Sequence, residues 1–336
     1  MNTIVPQSYQ SCLSVYETQK AIAIGKRLFE DRLAAGLDLF RVSAPLFVEG
    51  GTGLNDDLNG WERPVSFDIP QAKKEAQVVQ SLAKWKRWAL KQYGFMPGKG
   101  LYTDMDAIRR DEEPDNLHSV YVDQWDWEKI ITAEQRTTEY LKSVVRVIAA
   151  SVRYTQDTLF SLFPRLAEVE RLPEDVYFIE AEELLRRYPD LSAKEREHAI
   201  AREYRCVFII GIGKKLSNGE PHDNRAPDYD DWDLNGDLLY WNELLGRSVE
   251  LSSMGIRVSP ESLDRQLTLS GKEERRSLSY HRMLLDGELP LSIGGGIGQS
   301  RLSMLLLQKA HIGEVQVSVW DEETIRACEA AGIALL

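Results

Sequence analysis

Cysteine is scarce in this chain of 336 residues, with only Cys12, Cys206 and Cys328, far apart and never as Cys-x-x-Cys. That spacing supports neither a disulfide framework nor a structural zinc site, and it suits a reducing compartment. Long apolar runs are missing as well. No stretch of eighteen hydrophobic residues occurs, and the segment through Leu13 has no basic region followed by an apolar core. Neither a membrane span nor a secretory leader is expected, and a cytoplasmic location is. Positive charge is in deficit, with 41 Lys and Arg against 53 Asp and Glu and a net charge of -12. This argues against a non-specific nucleic-acid binder while leaving room for a local basic cleft. Two common nucleotide signatures are also absent. No Gly-Lys-Ser/Thr closes a phosphate loop, and the glycine-rich stretch near residue 295 has too little chain after it for the acidic residue that a dinucleotide fold needs. What remains is an ordinary globular composition, 43% hydrophobic and 28% charged, long enough to bury one large core or two intimate ones.

The most informative stretch runs from Ser292 to Leu307, where four glycines fall among the five residues from Gly294 to Gly298. Each would cost about 1 kcal/mol in a helix interior, so the chain must be extended or tightly turned there. A helix follows, with Ser300 as its cap and Leu302 to Leu307 as its apolar face. Arg301 in the first turn opposes the helix dipole, and an anion at that point would reverse the sign. Glycine amides, a helix N-terminus and a guanidinium together make a polyphosphate site. The plainer alternative is a glycine turn with an exposed arginine.

Elsewhere the apolar spacing predicts a helix from Ser14 to a stop at Gly36, a strand over Leu37 to Val42, and an irregular loop over Glu49 to Gly60 carrying Asp56 and Asp57. Ala76 to Leu82 reads as a strand, Ala83 to Tyr93 as a helix, and Gly100 to Arg109 as a strand before a polar turn. The strand His118 to Glu128 alternates, setting Val120, Val122, Gln124 and Asp126 on one face and Tyr121, Asp123, Trp125 and Trp127 on the other. Gln124 and Asp126 therefore mark either a polar outer face or the floor of a pocket. Helices follow to Phe163, and another within Leu184 to Tyr204 opens with a capping box at Ser192 and Glu195. Cys206 to Gly213 has the apolar run of a buried central strand, whereas the acids from His222 to Asp233 suggest a solvated loop. Leu234 to Trp241 and Val249 to Val258 form a plausible hairpin, and helices over Pro260 to Leu285 lead into the glycines. No repeat, low-complexity tract or linker interrupts the chain, so one catalytic unit is expected.

Several clusters gain meaning together. Arg109 ends a strand whose hairpin partner brings back Gln124 and Asp126, which can set an arginine over a pocket floored by an amide and a carboxylate. Strict alternation puts Glu250 and Arg257 on opposite faces, so both reach one site only through a bulge, expected near Gly255. Asp237 could join Glu250 in holding a hard cation such as magnesium, which takes one or two carboxylates plus phosphate oxygens. Singly, such an acidic pair is more often a solvated turn, and Arg109-Arg110-Asp111-Glu112 a surface ion-pair run. In order, they are a set of nucleotide-binding parts.

That order resembles the catalytic core of class II aminoacyl-tRNA synthetases, in the helix and strand up to Pro45, in Ile108 to Glu112 with Leu117 to Glu128, and in Gly294 to Leu302. More closely, Ser81 to Arg87, His118 to Trp127, Arg225 to Trp232, Glu250 to Arg257 and Gly294 to Arg301 resemble the aspartate-ammonia ligase family, asparagine synthetase A, over nearly the whole chain. The resemblance implies an α+β fold with an antiparallel sheet flanked by helices, one catalytic domain over residues 1–336 with its core from about residue 14, and a homodimer. It implies amidation of L-aspartate by free ammonia, driven by ATP and Mg2+ and passing through an aspartyl adenylate, to L-asparagine, AMP and diphosphate.

By position in these motifs the catalytic set is Asp56, Arg109 and Arg301. Arg109 would clamp the α-phosphate and Arg301 the terminal phosphates, with Gly296 and Gly298 beside the ATP and Asp237 and Glu250 holding magnesium. Ser81, Lys86, Gln124, Asp126, Ser253 and Arg257 would grip the amino acid, and Asp56 would bind ammonium and take its proton, its plainer role being a loop cap. Arg225 and Asp230 match the family without a derivable role. The alternative is an aspartyl- or asparaginyl-tRNA synthetase-like paralogue acting as an amino-acid-binding module. A working synthetase would need a tRNA-reading domain, for which the core leaves no room, and a dead paralogue should have lost Arg109, Glu250 or Arg301. A glutamine-dependent enzyme would need a nucleophilic cysteine, typically beside the initiator methionine, where this chain has Asn2.

Overall fold

Serine at position 14 opens the first helix in the computed structural model, which describes residues 3–58 and 60–336. Its hydroxyl accepts the Glu17 amide while the Glu17 carboxylate accepts the Ser14 amide, closing a capping box at the start of α1 (Val15–Leu37). The helix does not stop at Gly36. It ends one residue later, and the left-handed position is Asp38 at φ 59°. Gly36 instead allows close helix packing, since a Cβ there would lie 2.6 Å from Val147.

The chain continues through β1 (Leu39–Arg41), β2 (Phe47–Glu49), β3 (Ser66–Ile69), β4 (Lys74–Val78), α2 (Ala83–Gln92), β5 (Gly100–Ile108), β6 (Tyr121–Ile130) and α3 (Thr138–Leu162). Next come β7 (Tyr177–Glu180), α4 (Ala181–Arg187), α5 (Ala193–Tyr204), β8 (Cys206–Ile210), β9 (Asp230–Asn242) and β10 (Arg247–Arg257). The remainder is α6 (Pro260–Leu269), α7 (Ser279–Leu285), β11 (Ser292–Gly298), α8 (Gln299–Leu306) and α9 (Glu322–Ala330). The capping box at Ser192 and Glu195 is present at the start of α5. The strand expected over Ala76 to Leu82 begins earlier and ends at Val78, because Ser81 turns the chain into α2 by accepting the Ala83 amide at 3.1 Å.

Eight strands form one sheet in the order β1-β5-β6-β11-β10-β9-β8-β7, and β2-β4-β3 form a small separate sheet. The expected antiparallel sheet is there, with parallel pairing confined to its outer edges, β1 with β5 and β7 with β8. Strand β8 is buried along its whole length yet lies second from one edge, not at the centre. Its apolar run reports two covered faces rather than a central place: Cys206, Phe208 and Ile210 belong to one core cluster, Val207 and Ile209 to another.

The two faces of the sheet are covered differently, and this makes the site. Helices α1, α3 and α8 bury one face, where Phe29, Leu33, Val145 and Leu305 pack with Trp125, Trp127, Met254 and Ile297. On the other face α2 packs near β5 and β6 through Trp85, Ala89 and Leu90, while α4 and α5 pack over β7 and β8 through Leu184, Leu185 and Ile200. Between these two groups of helices the strands floor a cavity. Among the described residues no helix is long and apolar enough to cross a membrane.

Candidate active site

The cavity, of about 400 Å³, is lined by Asp56, Ser81, Lys86, Arg109, Gln124, Asp126, Glu250, Ser253, Arg257, Gly296, Gly298 and Arg301, which brings together all the expected site residues except Asp237. Register explains the convergence. Thr103, Asp126, Gly296, Ser253 and Asp237 are successive Cα partners across β5, β6, β11, β10 and β9, so they form one row on one face. The alternation of β6 holds where it matters, with Gln124 and Asp126 toward the cavity and Trp125 and Trp127 in the opposite core. The long hairpin of β5 and β6 carries Arg109 to the same cavity.

Glycines make the floor low. Residues 292–298 run extended as β11, paired on both sides, so the glycine amides belong to the sheet rather than to a phosphate nest. What the glycines supply is room: a Cβ on Gly294 would meet the Glu128 carboxylate at 1.9 Å, and one on Gly296 would meet Gln124 at 2.3 Å and Asp126 at 2.7 Å. In the space they leave, Lys86 donates to the Gly295 carbonyl at 2.8 Å and pairs with Asp126 at 3.1 Å. Burial lowers the Lys86 pKa, and the charge of Asp126 opposes that. Arg257 donates to both oxygens of Glu128, at 3.0 Å from Nε to Oε1 and 2.7 Å from Nη2 to Oε2, and to Asp230 from Nη1.

The phase change that lets Glu250 and Arg257 share the cavity lies between Glu250 and Ser252. A second irregularity between Gly255 and Arg257, where the bulge was expected, leaves Ser253 and Arg257 in phase along β10, because its extra residues belong to β9. Ser300 is not the cap of α8. Gly298 takes that position, and Ser300 donates its amide, at 3.1 Å, and its hydroxyl, at 2.8 Å, to Asp123. Asp123 thus fills the anion position at this helix N-terminus. Arg301 reaches across instead, donating to the carbonyls of Leu117 at 3.3 Å and Glu250 at 3.0 Å. Arg109 keeps more of its capacity free: its nearest carboxylate is Glu112 at 4.0 Å, and its Nε is buried without a hydrogen-bond partner among the described residues.

Asp237 stands behind the cavity wall. Arg225, which does line the cavity, donates from Nη2 to both its oxygens. Burial, with Glu250 and Asp223 adding negative charge, pushes the Asp237 carboxyl up to about 8 against the pull of Arg225. Burial also opposes ionisation of Glu250, yet Arg301 and Arg225 carry its carboxyl below the ordinary value. Asp56 is buried, accepts the Leu58 amide at 3.1 Å, and is raised above the ordinary carboxylate range chiefly by that burial. Loop cap and cavity wall are therefore both true of it.

The reading of 222–233 as a solvated acidic loop holds for Asp223 and Asp233, which are exposed, and fails for the acids between them. Asp228, Asp230 and Asp231 are all buried, paired with Lys84, Arg257 and Arg136 respectively. Their partners lie 27 to 144 positions away in the chain, so local composition could not reveal them. Arg225 and Asp230, which carried no role in the sequence, thus become the covers of Asp237 and Arg257. Glu128, fully buried and accepting from Ser292 at 2.7 Å as well as from Arg257, went unnoticed. Its signal was the adjoining Gly294, whose missing side chain its carboxylate occupies.

The antiparallel sheet flanked by helices is the class II synthetase-like fold that the sequence motifs imply, and solved structures share it. The fold resembles that of an asparaginyl-tRNA synthetase from Entamoeba histolytica bound to asparaginyl-adenylate, at a TM-score of 0.67 and 12% identity over 90% of this chain and 66% of that one. It also resembles the asparaginyl-tRNA synthetase of Pyrococcus horikoshii, at a TM-score of 0.64 and 16% identity over 90% of this chain and 68% of that one. In sequence the kinship is narrower: residues 16–332 match the family described as aspartate-ammonia ligase, and the chain belongs to that family. Proteins named aspartate–ammonia ligase are 59% identical in Clostridium perfringens, over 99% of this chain and 98% of the relative, and 55% identical in Lactobacillus johnsonii, over the full length of both.

Asp237 gives the site a pH signature. Burial pushes the folded carboxyl up to about 8 from an ordinary 3.8, against the pull of Arg225. The folded chain therefore binds more protons than the unfolded chain between those values, and stability falls as pH rises through that window. Asp237→Asn should flatten this part of a plot of urea midpoint against pH between about pH 5 and 8. A variant with an unchanged slope would remove Asp237 as its source.

Proposed function

We propose that the protein is an AMP-forming aspartate–ammonia ligase, which joins L-aspartate and free ammonia at the expense of ATP to give L-asparagine, AMP and diphosphate. The observation that supports this reading best is one cavity holding two partly exposed arginines, Arg109 and Arg301, beside a buried floor of paired opposite charges, in a chain this close to ligases of that name. The alternative of a synthetase-like binding module is not favoured, since relatives 55–59% identical along the whole chain carry the ligase name.

The chemistry runs in two steps. The aspartate side-chain carboxylate attacks the α-phosphorus of ATP, forming the acyl-phosphate bond as diphosphate leaves. Ammonia then attacks the acyl carbon, AMP leaves, and one proton is lost from nitrogen. Catalysis is mostly positioning and charge neutralisation. Arg109, with an unspent buried donor, suits the α-phosphate, and Arg301 at the cavity edge suits the terminal phosphates. Lys86 and Arg257 offer cationic contacts to the carboxylates, and Asp126 and Gln124 receive the ammonium group, with Ser81 and Ser253 beside them. Asp56, buried on the cavity wall with a raised pKa, is the base for the departing proton.

Magnesium belongs to the same reading. Glu250 is a hard oxygen ligand that lines the cavity, whereas Asp237, whose two oxygens accept from Arg225, would have to exchange that guanidinium for the ion. Among the described residues no group of three or more His, Cys, Asp or Glu side chains is arranged for a metal, so phosphate oxygens and water would complete the shell. Bound there, the ion would neutralise phosphate charge. A homodimer accords with the apolar Tyr16 and Phe40 exposed on α1 and β1, and a cytoplasmic setting with three unpaired cysteines.

Purified protein given aspartate, ATP, magnesium and ammonium should form asparagine and AMP, with glutamine a poor substitute for ammonium. Release of ADP, or equal rates with glutamine, would sink the mechanism. Arg109→Ala and Arg301→Ala should each lose about 3 kcal/mol of transition-state stabilisation, roughly a hundredfold in rate, without unfolding the chain. Normal rates in both would disprove the phosphate clamp. Asp56→Asn should slow asparagine formation more than aspartate-dependent exchange of diphosphate into ATP, because only the second step uses ammonia. Equal loss in both would make Asp56 a residue that orients aspartate.

A further inference from the structure

Beneath the Asp56 loop lies a charged cluster that the reaction scheme does not use. Asp228 is fully buried just ahead of Tyr229 and Asp230, which line the cavity. Its Oδ2 faces Arg275 Nη1 at 2.8 Å, His281 Nε2 at 2.9 Å and Lys84 Nζ at 3.4 Å. These come from three elements: Lys84 from α2, two residues before Lys86, His281 from α7, and Arg275 from the 3-10 turn Glu273–Ser277 between α6 and α7. Burying so many ionisable groups is costly unless each is paired, and an apolar contact would join the same elements at less cost.

Arg275 has a second partner that gives the cluster a use. Its Nη2 lies 2.7 Å from Oδ2 of Asp57, the neighbour of Asp56. The Arg275–His281 segment holds the same loop at further points. The Thr52 carbonyl accepts from Ser279 Oγ at 3.0 Å and from the Tyr280 amide at 3.4 Å. Gly53, at φ +80°, lies so close to the His281 ring that a Cβ would come within 3.1 Å of it. The loop is thus docked on this segment, and Asp228 ties the segment to the cavity wall.

We propose that Asp57, Arg275, Asp228 and His281 are positioning residues that hold the Asp56 carboxylate at the ammonia side of the cavity, so that amide formation depends on them and adenylate formation does not. The inference rests on the reaction proposed above and deepens it. Charge acts alongside geometry: beyond burial, Lys84 and Arg109 lower the Asp56 carboxyl and Asp228 raises it. Displacing the loop would alter both the place of the base and its strength.

Asp57→Asn tests this with least risk to folding, since the Asp57 side chain is 57% exposed. The full-length variant is measured in aspartate-dependent diphosphate exchange and in asparagine formation over an ammonium series. The KM for ammonium should rise about three- to fivefold, the scale of an ion pair with one exposed partner, while exchange changes less than about twofold. Amide hydrogen exchange over residues 50–58 should quicken. Asp57→Glu should restore most of the ammonium KM, which a merely structural role would not predict. Arg275→Met, losing Asp57 and Asp228 together, should exceed Asp57→Asn, and adding Asp57→Asn to it should have little further effect. If Arg275→Met fails to fold, the Asp57 variants alone decide. An unchanged ammonium KM in Asp57→Asn, or equal losses in both half-reactions, overturns the proposal. Wild-type protein that forms no asparagine overturns the reaction itself, a different failure.

Discussion

Charged side chains can stand side by side over a sheet only where the strand beneath them gives way, and β11 gives way at Gly294 and Gly296. These two positions face the cavity between β6 and β10, so the side chains of both neighbours lean into the trough they leave. Glu128 and Arg257 meet over Gly294, Gln124 and Asp126 over Gly296, and Lys86 descends from α2 onto the carbonyl of Gly295 between them. A methyl group at either glycine would come within 2.7 Å of a carboxylate oxygen. The arrangement of charge on the cavity floor is therefore set by an absence of side chains in the middle of the sheet.

Those charges are costly, and how they are balanced separates two kinds of residue. Arg257 is wholly buried between Glu128 and Asp230, and Lys86 beside Asp126. Removing one member of such a pair leaves its partner uncompensated, which typically costs about 3–5 kcal/mol, so these residues support the fold as well as any ligand. Arg109 and Arg301 differ. Their side chains remain 23% and 22% exposed, and neither makes a carboxylate contact shorter than 4.0 Å. A guanidinium held by carbonyls or left with an unused donor keeps its charge available to a phosphate. The acidic chain thus assembles a local cationic edge over a neutralised floor.

Periodicity and caps made much of the fold legible. Ser14 with Glu17 and Ser192 with Glu195 begin helices where their spacing requires, and the alternation in β6 separates Trp125 and Trp127 from Gln124 and Asp126. Features decided by distant partners were not legible. Gly36 reads as a stop, but the close approach of Val147 gives it another use. The strands β2 and β3 are short and mostly exposed, and the alternation of Phe67 and Ile69 with Ser66 and Asp68 in β3 spans only four residues, so little local marks them. Asp228, Asp230 and Asp231 look like any acidic loop until cations from α2, β10 and the turn before α3 close over them. That the motif residues gather in one cavity was legible because the motifs are long, whereas the way they are held depends on the sheet register.

The start of α8 shows how such a holding arrangement changes the chemistry. A helix N-terminus beside glycines invites a phosphate, because amides and dipole both favour an anion. Here Asp123 already takes the Ser300 amide and hydroxyl, and Gln316 and Lys26 fix its oxygens at 3.1 and 3.2 Å. The carboxylate lands there because β6 is the neighbour of β11, with Gln124 the partner of Gly298, so the residue before it falls beneath the helix start. With the dipole already satisfied, Arg301 in the first turn loses much of its electrostatic penalty, and an anion entering the cavity would meet side-chain cations rather than backbone amides. Guanidinium groups on separate elements, one after β5 and one on α8, can each follow a different phosphate as bonds break between them. A rigid nest of amides would hold both in one place.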